Sequence, residues 1–150
     1  MNPAWSVIFL TTLIGAGQGL FLAIAGVNAA ARLGMIAPVA ADFYVTGSFI
    51  ALLLLTCGLG ASFLHLGHPE RAWRAIAMWR TSWLSREGVL AVVLFPVAGL
   101  FALTQSVWAG VLLAAVALAV VYCTGQIYAC LKTVPRWHTP LVPVAYIVLA

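Results

Sequence analysis

Apolar residues run along this chain in long blocks that carry almost no charge, and short polar breaks separate them. The blocks extend over 5–31, 42–63, 87–104 and 109–130. A helix needs about 20 apolar residues to cross the hydrocarbon core of a bilayer, so each block predicts one membrane span. A fifth apolar run, "LVPVAYIVLA" at 141–150, reaches only about 15 Å at about 1.5 Å per residue, roughly half the hydrocarbon thickness. A chain ending there would leave terminal carbonyls unpaired in lipid. The expectation is the N-terminal part of a longer protein.

The breaks carry helix punctuation. Arg32 lies in the first loop, where Pro38 suits a helix start. Gly67 suits the C-terminal cap of the second helix. "TQSVW" at 104–108 reads as a tight uncharged turn. Within the first span, Gly15 and Gly19 form a GxxxG pair suited to close helix packing, and Pro96 sits inside the third span, where a membrane helix tolerates it. The predicted fold is all-α and integral to the membrane. It is a single transmembrane helical domain, a polytopic bundle with four full spans and the start of a fifth.

Composition narrows the class further. The chain is 65% hydrophobic and 7% charged, with a mean hydropathy of +1.12. A soluble domain carries about 25% charged residues, so no water-exposed surface can be built from this supply. The net charge of +4 does not point to nucleic acid, because no polar domain surrounds the basic residues. It points to orientation in the membrane, lipid head groups or an acidic partner. Cys57, Cys123 and Cys130 form no CxxC pair and read as buried inert thiols, with Cys123 and Cys130 spaced to share a helix face. No Lys or Arg precedes the first apolar run, which also exceeds a signal peptide's core, so it reads as a retained span.

Alternating spans place the amino terminus and the 64–87 and 131–140 loops at one membrane face. Arg71, Arg74, Arg80, Arg86, Lys132 and Arg136 fall there, against Arg32 alone opposite. The positive-inside rule makes that face, with the amino terminus, cytoplasmic. A basic loop built to hold an acidic partner would carry the same bias.

"HLGHPERAWRAIAMWRTSWLSRE", residues 65–87, holds two of the three histidines, two of the three acids and four of the seven basic residues. His65 ends the second span and Glu87 starts the third, while Tyr122, Gln126 and Tyr128 lie in the last turns of the fourth. All belong to one membrane boundary. Between His65 and Glu87, arginines interleave with Trp73, Trp79 and Trp83, which suits a short helix lying in the interface. A quinone head group fits such a boundary. Its carbonyls need hydrogen-bond donors, which His65 can supply, and its protons must pass to or from water, which Glu87 can mediate.

Plainer readings stand beside these. His65 can be a solvated residue past a helix end, and Glu87 can complement the helix dipole with Ser85 as N-cap. The arginines can set orientation alone, and His68 and His138 read as surface residues. Haem is not expected, because ligation by paired histidines needs them on facing helices within the bundle. A transporter is disfavoured because the spans hold no ionisable residue at depth.

Three pieces, "HLGHPERA" at 65–72, "SWLSRE" at 82–87 and "TVPRW" at 133–137, resemble in order and spacing the membrane anchor subunit of the dimethyl sulfoxide reductase family (DmsC type). The resemblance implies an eight-helix, haem-free anchor that exchanges electrons with ubiquinone or menaquinone. It implies partner subunits that carry iron–sulfur clusters and a molybdenum bis-pterin cofactor. Carried over by position, His65, Glu87, Arg71 and Arg86 belong near the quinone. Arg74, Arg80, Trp79, Trp83, Arg136 and Trp137 belong to the partner interface. The inferred orientation favours the related quinone-linked sulfite-oxidising branch, whose catalytic subunits are cytoplasmic. The alternatives are a reductase anchor that oxidises menaquinol and a purely structural anchor.

Overall fold

The structure is a computed structural model that describes residues 5–64, 69–71 and 73–149. His65, His68 and Gly67 lie outside the described residues. Long helices α1 (Trp5–Arg32), α2 (Ala41–Phe63), α4 (Trp83–Thr104) and α5 (Val107–Ala129) form the bundle, and each contains a stretch long and apolar enough to cross a membrane. The chain is thus a multi-pass membrane protein of all-helical architecture. Between α2 and α4 the polar stretch folds into a 3₁₀ turn (Pro69–Arg71) and a short helix α3 (Trp73–Ala77), and α6 (Leu141–Leu149) follows α5.

Helix ends follow local chemistry. Gly34, at φ +73°, closes α1 by a left-handed turn in which the Met35 N–H donates to the Ala30 carbonyl at 2.9 Å. The third span begins at Trp83, four residues earlier than hydropathy suggests, because Ser82 is extended and its Oγ accepts the Ser85 N–H at 3.4 Å. The N-cap is therefore Ser82, and Ser85 is a buried residue one turn inside the helix. Glu87 consequently sits in the second turn, beyond the reach of the helix-terminal dipole. Helix α4 continues through Pro96, whose side is exposed.

Packing pairs α1 with α2 and α4 with α5, both antiparallel, and sets α5 against α1 and α6. The core joins Phe21, Ile24, Tyr44, Leu55, Leu94, Phe101 and Leu113 with small residues such as Ala51, Ala98 and Ala117. Gly17 and Gly58 bring α1 and α2 together, and Gly15 of the GxxxG pair does not take part. A Cβ at Gly17 would lie 3.0 Å from the Ala51 carbonyl oxygen and one at Gly58 2.7 Å from Ile14 Cγ1, whereas Gly15 faces open space. Small residues outside any motif thus make the close contact, as membrane packing requires. At α5–α6 a Cβ on Gly125 would stand 2.6 Å from the Pro143 Cα. Of the cysteines only Cys123 is buried. Cys57 and Cys130 are exposed, so Cys123 and Cys130 differ in environment because α5 ends at Ala129 and Cys130 is already its cap.

Candidate functional site at the polar-loop end

The hairpin register of α4 and α5 creates the central contact. Their turn lies at Gln105, with Glu87 18 residues before it and Thr124 19 residues after it. The Thr124 Oγ1–H donates to Glu87 Oε1 at 2.5 Å, and the same hydroxyl lies 3.1 Å from the Val120 carbonyl. A hydroxyl has one proton and can both donate and accept. Thr124 can therefore donate to an ionised Glu87. Alternatively it can turn its proton to Val120 and accept one from a protonated Glu87. The pair accommodates both charge states without leaving either oxygen unpartnered. Glu87 is half-buried, so it is drawn from bulk water yet lies at the bundle's end.

Aromatic and amide groups lie within about a turn of the pair along α4 and α5 and contact one another. Trp83 meets Tyr122 edge to face at 5.9 Å, and Gln126 Nε2 donates to the Tyr122 hydroxyl at 2.7 Å. Tyr128 stacks on Tyr146 of α6 at 5.5 Å and meets Trp137 edge to face at 5.4 Å. Tyr128 of α5 thereby holds both the following loop, through Trp137, and α6, through Tyr146. His138 Nδ1 lies 2.8 Å from the Ala129 carbonyl, and since a carbonyl only accepts, Nδ1 carries the proton and caps the end of α5.

The arginines divide by task. Arg86 Nε donates to the Trp79 carbonyl at 3.0 Å and Nη2 to the Arg80 carbonyl at 2.8 Å, while its guanidinium lies over the Trp83 ring at 4.2 Å. It braces the turn between α3 and α4. Arg71 is exposed and 3.8 Å from Glu70. Arg74 and Arg80 lie near the rings of their neighbours Trp73 and Trp79, at 5.7 and 5.8 Å, and remain exposed, as do Arg136 and Trp137. Glu87, Arg86 and Trp83 are thus gathered at the α4 entrance, while Arg71, Arg74, Arg80 and Trp79 spread over an exposed surface. Sequence reasoning singles out neither Thr124 nor the burial that sets Cys123 apart. The Thr124 contact is readable only once the α4–α5 turn is centred on Gln105 and residues are paired across it.

Comparison with known proteins closes the description. Residues 1–150 match the family described as DMSO reductase anchor subunit (DmsC). The chain is 50% identical over 160 aligned residues to the C subunit of sulfite dehydrogenase from Allochromatium vinosum, covering 94% of this chain and 49% of that one. It is 33% identical over 114 residues to anaerobic dimethyl sulfoxide reductase chain YnfH of Escherichia coli, covering 68% of this chain and 39% of that one. The chain therefore spans half or less of the length of these relatives. No solved structure matches it.

Proposed function

The chain belongs to the DMSO reductase anchor subunit (DmsC) family, and from that premise we propose that it is the quinone-reactive anchor of a molybdenum and iron–sulfur oxidoreductase. The observation that carries the reading is the Glu87–Thr124 pair, a half-buried carboxylate at the membrane boundary whose partner suits either charge state. When a quinone is reduced it takes up an electron pair and a proton on each carbonyl oxygen. The electrons come from an iron–sulfur partner subunit, since no side chain here carries them. Protons pass through Glu87, with Thr124 keeping the carboxylate oriented in both states. His65, outside the described residues, is proposed as the donor to a quinone carbonyl on the strength of the motif alone. Arg86 acts as a positioning residue that holds the entrance of α4. Arg71 belongs to the same motif.

The exposed surface of Arg74, Arg80, Trp79, Arg136 and Trp137, with the half-buried Trp83 beside it, is the proposed seat of the iron–sulfur subunit, which in turn carries the molybdenum subunit. The bias of basic residues supports a cytoplasmic position for this face, and the family reading a bacterial inner membrane. The similarity to a sulfite dehydrogenase favours the oxidative direction, with electrons from sulfite entering the quinone pool. The more distant similarity to a dimethyl sulfoxide reductase chain supports the reverse, quinol-oxidising direction as the second reading.

The test uses the full complex in membranes. Glu87→Gln should lower quinone-linked turnover by about 10²-fold, the scale of a positioned proton-transfer group. Thr124→Val should lower it by about tenfold, and Thr124→Ser should restore most of it. Activity with a soluble artificial electron carrier should be unchanged in all three. A matching fall in both assays, or no fall in either, removes the proposed role.

A further inference from the structure

Helix α6 rests on α5 directly beside the Glu87–Thr124 pair. A Cβ on Gly125 would stand 2.6 Å from the Pro143 Cα, so the two backbones touch at the residue after Thr124. Thr124 and Tyr128 are four residues apart on α5 and therefore share a face. Pro143 and Tyr146 are three apart on α6 and share one as well. Helical side chains tilt toward the N-terminus of their own helix. Helix α5 ends at the polar-loop end and α6 begins there, so Tyr128 tilts into the bundle while Tyr146 tilts back toward the loop. The two rings meet, stacked at 5.5 Å with 21° between their planes, and both residues are half-buried.

The stack also brings hydroxyls together. The Tyr146 hydroxyl lies within hydrogen-bonding reach of Tyr128, and it feels the charge of Glu87. A phenol oxygen can accept a proton on a lone pair while its own O–H donates onward, so it conveys a proton without holding net charge. Glu87 needs such a route, because each proton it gives to a quinone must be replaced. Its approach from the α4 entrance is held by Arg86, whose guanidinium lies over the Trp83 ring at 4.2 Å, and a fixed cation opposes an incoming proton. On the α6 side no cation intervenes among the described contacts. There Tyr128 meets Trp137 edge to face at 5.4 Å, in a loop whose residues Arg136, Trp137 and His138 are exposed.

We infer that Tyr146 and Tyr128 form a proton relay between Glu87 and the exposed 131–140 loop, with ordered water completing the step from Tyr146 to the carboxylate. The inference rests on the reading of Glu87 as the proton-transfer group and adds its path. For each proton that leaves Glu87 for a quinone oxygen, one enters at the Tyr128 oxygen. The Tyr128 O–H passes its proton to Tyr146, and the Tyr146 O–H passes its own to the carboxylate. Rotation of both hydroxyls resets the chain, and neither phenol keeps a charge. Quinol oxidation runs the same relay outward.

The test uses the full complex in membranes with Tyr146→Phe and Tyr128→Phe, which keep the stacked rings and remove only the hydroxyls. Each should lower quinone-linked turnover by about tenfold and leave activity with a soluble artificial electron carrier unchanged. Proton delivery then limits the rate, so the solvent deuterium isotope effect should rise above that of wild type. Added imidazole, a small proton carrier, should restore part of the turnover. Thermal unfolding of each variant separates loss of the relay from loss of packing. Unchanged turnover in both variants beside an impaired Glu87→Gln overturns the relay and leaves the role of Glu87 standing. A fall in turnover without a raised isotope effect also overturns it, because the hydroxyls then serve packing alone. If Glu87→Gln is itself silent, the proton-transfer reading fails and the relay with it.

Discussion

The two ends of the bundle handle polar groups in opposite ways. At the polar-loop end charge is plentiful and spent locally. Arg86 holds two carbonyls and an indole, Arg71 sits beside Glu70, and His138 caps α5. At the other end charge is scarce, and the single Arg32 shares one carbonyl with Asn28, whose amide oxygen has no partner among the described residues. Charge density therefore does not locate unsatisfied polar capacity. A rich supply near a helix end is absorbed by backbone groups that would otherwise be unpaired. A lone polar residue inside an apolar bundle has no such outlet.

The largest expected effect comes from breaking the polar-loop end mechanically. Gly125→Ala drives a Cβ into the Pro143 backbone and should cost about 1–3 kcal/mol or more, read as a lowered unfolding temperature of the detergent-solubilised full-length protein. Gly26→Ala, which meets open space, should cause no loss, and equal effects would mean that α6 does not rest on α5.

A smaller effect sharpens how the arginines differ. Arg86→Ala should free the carbonyls of Trp79 and Arg80 at a cost of about 1–2 kcal/mol, detected as faster proteolysis between α3 and α4. Arg71→Ala, at an exposed pair, should change that rate little, because such pairs contribute about 0–1 kcal/mol. Identical cleavage rates would show that Arg86 is no brace. Smallest of all, His138→Ala removes one capping bond at an exposed site and should cost about 0.5–1 kcal/mol. Hydrogen exchange in the last turn of α5 should report it, and unchanged exchange there would remove His138 from the cap.

Much of this architecture is legible in the order of residues. The spans follow from apolar run lengths, and the Gln105 turn is visible as an uncharged break. Local errors arise where hydropathy blurs a boundary. Hydropathy displaces the α4 start to Glu87 because "SWLSRE" is polar, although Ser82 has the chemistry of a cap. Spacing along a helix does not say which face meets a neighbour: Gly15 of the GxxxG pair faces open space, while Gly17 makes a close contact.

Run length, charge asymmetry and motif order thus determine the class, the number of spans, the gathering of polar residues at one boundary and the family. Which way each helix is turned about its axis is decided only in three dimensions. These helices are apolar on nearly every face, so no stripe distinguishes the side that meets lipid from the side that meets protein. Rotation is set instead by where glycines and alanines permit backbones to approach. That rotation aims Thr124 at Glu87 and leaves Asn28 facing a cavity.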